Sequence, residues 1–162
     1  IFFSAENSPP HGFVKYLRIR LQKSNVFVKS LMFLLQKRVN DIPSNSPSKI
    51  AKIAYHQACH ALRELNVLNQ PIELLNSLPN VQLIDFEQQD VCCGFGGTFA
   101  VKFPDISGAM LNDKIQALRD CQADVLTSVD SSCLMHIRGG VERAGYELRI
   151  MHFAEILEER LG

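Results

Sequence analysis

Two neighbouring thiols are the strongest chemical signal in the sequence. Cys92 and Cys93 are adjacent and run straight into Gly94-Phe95-Gly96-Gly97. Adjacent cysteines can ligate different metal atoms of a cluster, whereas binding both to one zinc strains the short chain between them. Gly94, Gly96 and Gly97 admit positive φ and let the backbone approach a ligand closely. Their N–H groups are candidate donors to thiolate or sulfide, which tunes a reduction potential. Cys133 and His136 form a second element, Cys-x-x-His, at an expected helix start. Residues three apart lie on one helix face, so both heads can reach one centre, with His136 as ligand or as a donor behind the ligands. The helix N-terminus is expected to lower the Cys133 pKa and favour its thiolate. Cys59 offers a further thiol. His56 and His60 flank it and read as local polar groups that can also hydrogen-bond a sulfur. Cys121 is expected to be structural. Arg63 and Lys102 are candidates to offset the charge of a thiolate-bound centre.

These residues need elements to gather them. Ile53-Ala54-Tyr55 opens a short apolar run that reads as a strand. Residues 71–78 read as a helix with Pro71 in its first turn, and 81–84 as a strand. Ile106, Met110, Leu111, Ile115 and Leu118 repeat at helical spacing, with Asp105 as the expected N-cap. Residues 123–129 read as a buried strand. Ser131 or Ser132 is expected to cap a helix running to about Ala144, which Gly145 stops. A strand at 148–151 and a helix at 153–161 complete the pattern. This alternation predicts an α/β fold: an open, mostly parallel sheet with helices on both faces. In such a sheet the carboxyl ends of the strands share one edge, where ligands bind. Cys59 falls past the first strand, Cys92 and Cys93 past the second, and Cys133 past the third. The thiols are therefore expected to converge.

Composition narrows the class. Hydrophobic residues make up 46% and charged residues 21% of the 162, the balance of a soluble globular domain rather than a disordered chain. Lys+Arg and Asp+Glu are both 17, which gives no case for nucleic acid. No apolar run reaches the roughly 18 residues of a membrane span, although peripheral contact stays open. Ile1-Phe2-Phe3 lacks the basic start and long apolar stretch of a signal peptide. Five cysteines without such a signal point to a reducing, cytoplasmic setting and to free thiols. Residues 1–40 hold seven basic side chains and one acidic, against ten basic and sixteen acidic in 41–162. A turn-rich stretch from Asp41 to Ser48 separates the two regimes. Residues 1–49 are read as a basic, helical N-terminal segment and linker, with one or two helices in 13–37, and 50–162 as the cysteine-bearing domain. Gly94-Phe95-Gly96-Gly97 is not a dinucleotide fingerprint, and no P-loop occurs.

The order Cys59, thirty-two residues, Cys92-Cys93, thirty-nine residues beginning with Gly94, then Cys133, resembles the CCG cysteine-rich domain. That domain occurs in a heterodisulfide reductase subunit, in the glycolate oxidase iron–sulfur subunit and in the lactate utilization protein A family. Tyr55-His56-Gln57-Ala58-Cys59-His60, Cys92-Cys93-Gly94-Phe95-Gly96-Gly97-Thr98-Phe99 and Ser132-Cys133-Leu134-Met135-His136 carry the likeness, which is nearest to the lactate utilization family. The resemblance implies an iron–sulfur electron-transfer component of cytosolic L-lactate oxidation, working with companion subunits. It implies a [4Fe–4S] cluster held by Cys59, Cys92, Cys93 and Cys133, with His136 where the wider pattern has a final cysteine. The family usually carries two copies of the domain. This chain matches the second alone, as a fragment or one half of a two-copy protein. Competing readings are a structural zinc site of Cys₃His type, an iron–sulfur subunit of a glycolate oxidase or heterodisulfide reductase-like complex, and a metal-free thiol switch at Cys92–Cys93, where a vicinal disulfide is strained.

Overall fold

The computed structural model describes residues 51–161. The basic segment 1–49, with its expected helices, lies outside the described residues. The described elements are β1 (Ala51–Tyr55), α1 (Cys59–Arg63), α2 (Gln70–Ser77), β2 (Val81–Ile84), α3 (Thr98–Lys102), α4 (Pro104–Cys121), β3 (Val125–Ser128), α5 (Ser131–Arg143), β4 (Arg149–His152) and α6 (Phe153–Leu161).

The four strands pair in parallel in the order β2-β1-β3-β4. Ile53 sits level with Leu83 on one side and Val125 on the other. The chain leaves β1 for β2, then returns past β1 to form β3. Connections from β1 and β3 thus diverge, and the crevice between their carboxyl ends is a topological switch point.

Alternate side chains of a strand face opposite ways. Ile53 and Tyr55 of β1 and Val125 of β3 pack with Leu74, Leu75, Phe153, Ile156 and Leu157 from α2 and α6. Ala54 and Leu126 face the other side, onto Leu111, Ile115, Leu118, Leu134 and Ile137 from α4 and α5. Helices therefore cover both faces, as the alternating pattern predicted. Burying each such leucine or isoleucine contributes roughly 1.5–3 kcal/mol. The second layer is tight where α5 crosses α4. A Cβ on Gly140 would meet Ile115 Cδ1 at 2.6 Å and Leu111 Cδ2 at 2.8 Å.

Two helix starts differ from expectation. Helix α4 begins at Pro104 with Phe103 as N-cap, not at Asp105. Proline at the first helical position has no N–H to leave unpaired there, and its fixed φ suits the turn. Asp105 instead lies in the first turn, where its charge complements the helix dipole. In consequence Ile106 is exposed, and the buried stripe runs through Ser107, Leu111, Lys114, Ile115 and Leu118. Helix α5 is capped by Asp130 rather than Ser131 or Ser132. The Asp130 carboxylate accepts the N–H groups of Ser132 at 2.9 Å and Cys133 at 3.2 Å. The short helices α1 and α3 were not expected, since five residues show too little periodicity to read.

Candidate metal centre

The switch-point crevice is built from backbone first. His56 follows β1, and its N–H donates to Thr127 O at 2.8 Å. Ser128 Oγ donates to His56 O at 2.8 Å. These bonds fix His56 between the ends of β1 and β3. The turn after β2 is tied to the same place: Gln57 N–H donates to Gln89 O at 2.8 Å, and His56 Nδ1 lies 3.1 Å from that oxygen. Lys114 Nζ donates to the neighbouring Gln88 O. Three anchors thus set the loop that carries Cys92 and Cys93.

Gly94 shapes that loop. Its φ is +90°, and a Cβ there would lie 2.8 Å from Ser107 O. Only glycine meets both conditions. Gly96 and Gly97 also have positive φ and turn the chain into α3. Gly94 N–H points at Cys92 Sγ at 3.4 Å. Ser107 Oγ donates to Gly94 O at 2.9 Å, which locks the loop onto α4.

Sulfur atoms from three segments meet here. Cys133, in the first turn of α5, lies within hydrogen-bonding reach of Cys93. Cys59, at the start of α1, faces Cys92. Cys93 and Cys133 are buried, Cys59 and Cys92 half-buried, and all five cysteines of the chain are free thiols. His56, fully buried, completes a compact group. One ligand atom each from His56, Cys93 and Cys133 lie within 4.8 Å of one another, and the three could hold a metal ion.

The electrostatics favour a thiolate at Cys93. The Cys133 thiol hydrogen-bonds to it and draws its pKa down to about 4, against the opposing effect of burial. The nearby His56 imidazole and the Phe95 N–H add to this. Cys133 moves the other way. Its donation to Cys93, then its burial, then the Cys93 charge push its pKa well up. The expected lowering by the helix N-terminus is therefore overturned: a neighbouring thiolate outweighs the helix end. Burial and then the Cys92 charge hold Cys59 above its ordinary value.

The remaining candidates are sorted by the fold. His136 reaches the margin of the site, with Nε2 3.5 Å from Ser107 Oγ and its ring 5.7 Å from that of Phe95. His60 points outward and pairs with Glu64 at 3.2 Å. Cys121 closes α4 and donates to Leu118 O at 3.2 Å, away from the crevice. Arg63 and Lys102 are exposed. The cation at the site is Lys114, which the sequence reading missed. It is fully buried, with its ammonium 5.7 Å from the centre of the Phe86 ring. Burial lowers its pKa, while the charges of Cys93, Cys92, Cys133 and Asp90 oppose that fall. A signal existed: Lys114 follows Leu111 by three and precedes Leu118 by four, which places it on the buried stripe.

Fold and site together define a cysteine-rich α/β domain with a thiol-lined switch point. The CCG cysteine-rich domain family matches residues 53–138, and the chain belongs to it. Among curated proteins, it is similar to uncharacterized protein YkgE of Escherichia coli (strain K12), at 40% identity over 109 residues, 67% of this chain and 46% of the relative. It is also similar to lactate utilization protein A of Anoxybacillus flavithermus, at 42% over 109 residues (67% and 46%). Lactate utilization protein A of an Exiguobacterium species is 38% identical over 121 residues (75% and 48%). The chain spans about half the length of the curated relatives it matches.

Proposed function

We propose that the chain is an iron–sulfur electron-transfer component of an L-lactate oxidation system, acting in the cytoplasm with companion subunits. The observation that carries this is the meeting of Cys59, Cys92, Cys93 and Cys133 at one sheet edge, in two facing thiol pairs. The donor set fits a cluster: four soft sulfur ligands from three segments, with adjacent cysteines able to bind different irons. The names of the lactate utilization relatives supply the pathway. A [4Fe–4S] group bound there would take up and release single electrons. Cys59, Cys92, Cys93 and Cys133 are the proposed thiolate ligands, and His136, at the margin of the site, occupies the sequence position of the last cysteine of the wider motif. Gly94 N–H steadies Cys92, and Phe95 N–H steadies Cys93. The Gly94, Gly96 and Gly97 loop brings backbone close to the cofactor. Lys114 offsets negative charge from beneath. Residues 50–162 form the working domain, joined by a linker near residue 49 to the basic N-terminal segment.

Surface chemistry supports a companion protein. Val91 precedes Cys92, and Met135 stands between Cys133 and His136; they are 43% and 61% exposed. Val101, Phe103 and Ile106 are exposed just beyond the glycine loop. Apolar surface of this kind marks contact sites. No helix of the described residues is long and apolar enough to cross a membrane. Free thiols throughout suit a reducing compartment.

A second reading, a structural zinc, is favoured by the close His56, Cys93 and Cys133 group. Anaerobic reconstitution with iron and sulfide tests the first. It should give a brown protein carrying iron and acid-labile sulfide, with an EPR signal in one oxidation state. A colourless protein holding zinc without sulfide would replace the first reading with the second.

A further inference from the structure

We propose that His56, rather than His136, supplies the nitrogen ligand of the metal centre, an assignment that rests on the metal-binding reading above. Its ring is prepared for that task. Nδ1 lies 3.1 Å from Gln89 O. A carbonyl oxygen only accepts, so the ring proton sits on Nδ1 and Nε2 keeps its lone pair. Metal-bound histidines show this same arrangement, one nitrogen on a backbone carbonyl and the other on the metal.

The ring stands among the sulfurs: one of its nitrogens lies within 4.8 Å of the thiol sulfurs of both Cys93 and Cys133. Nε2 is buried and no hydrogen bond of ordinary geometry reaches it from the described residues, although the ring lies close enough to Cys93 to favour that thiolate. A buried polar atom without a partner needs an explanation, and a metal supplies one. His56 cannot swing away, because its own backbone is held by Thr127 and Ser128 and its ring by Gln89. Rigid support of this kind is what a ligand requires. His136 has neither feature. Its Nε2 already faces Ser107 Oγ, and its ring leans on Phe95.

The full chain tests this with two probes. In the first, apoprotein is titrated with Co(II). His56→Ala should weaken binding by at least roughly tenfold, while His60→Ala, whose ring pairs with Glu64 on the surface, should bind as the parent does. In the second, protein reconstituted with iron and sulfide is examined by pulsed EPR. A ¹⁴N coupling should appear, survive His136→Ala and vanish in His56→Cys, which keeps a metal ligand in place if His56→Ala fails to fold. Unchanged Co(II) affinity in His56→Ala, or a coupling lost in His136→Ala and kept in His56→Cys, overturns the assignment. If iron and sulfide do not bind but the Co(II) result holds, the cluster reading falls and the His56 assignment stands.

Discussion

Cys93 and Cys133 lie close enough to share a proton, which favours a thiolate at Cys93 beside the Cys133 thiol. Neither residue has that character alone; it arises because burial leaves each the other's best partner. Lys114 is the counterweight. Removing its positive charge leaves the site more negative and makes reduction harder. Lys114→Met should therefore lower the midpoint potential of the loaded protein, while Lys114→Arg stays near the parent. A redox titration checks this, and equal potentials at equal metal content would count against it. Asp130 acts one step further out, by capping α5 under Cys133. Burial opposes its ionisation, but the Ser132 hydroxyl and the Cys133 and Ser132 N–H groups hold it below the usual carboxylate range. A carboxyl depressed in the folded state stabilises the protein above its unfolded pKa, about 3.9. That contribution fades as pH falls through the lower folded value. Asp130→Ala should cost about 1 kcal/mol near neutrality, with a smaller difference at acid pH, read from denaturant unfolding across pH. The thiols were legible as a set because residue type and spacing announce them. Lys114 and the orientation of His56 were not, because each depends on what packs around it.

At the scale of elements, the strands were the most readable part. β2 and α6 fall where the pattern put them, and β1, β3 and β4 within two residues of it. Short apolar runs between turn residues leave little choice. Helix starts were less readable, because Pro104 and Asp130 compete with neighbours that are also good starters. Spacing of apolar residues also hid the closest contact in the fold, since Gly140 matters for what it lacks. Gly140→Ala should push α5 from α4 against Ile115 and Leu111, at a cost of roughly 1–3 kcal/mol, measured by denaturant unfolding. Gly94→Ala should act on the site instead. It places a side chain at φ +90° and 2.8 Å from Ser107 O, so the Cys92–Cys93 loop must shift and bound metal per chain should fall. A variant with full metal content would show that the loop tolerates the change.

The whole molecule joins a conventional sheet to an unusual rim. Parallel pairing sends every strand's carboxyl end to one edge, and the reversal between β1 and β3 opens that edge. Three segments spread over residues 59–133 meet there because the topology leaves them nowhere else to go. The chain spans about half of each relative, and its described residues carry one such rim. The most direct test is an assay of iron, zinc and acid-labile sulfide on full-length protein purified without oxygen, beside the Cys93→Ser/Cys133→Ser double variant. Iron and sulfide together in the parent, and their loss in the variant, is the predicted result. Zinc without sulfide, or the same iron content in both proteins, would contradict the claim that these sulfurs hold a cluster.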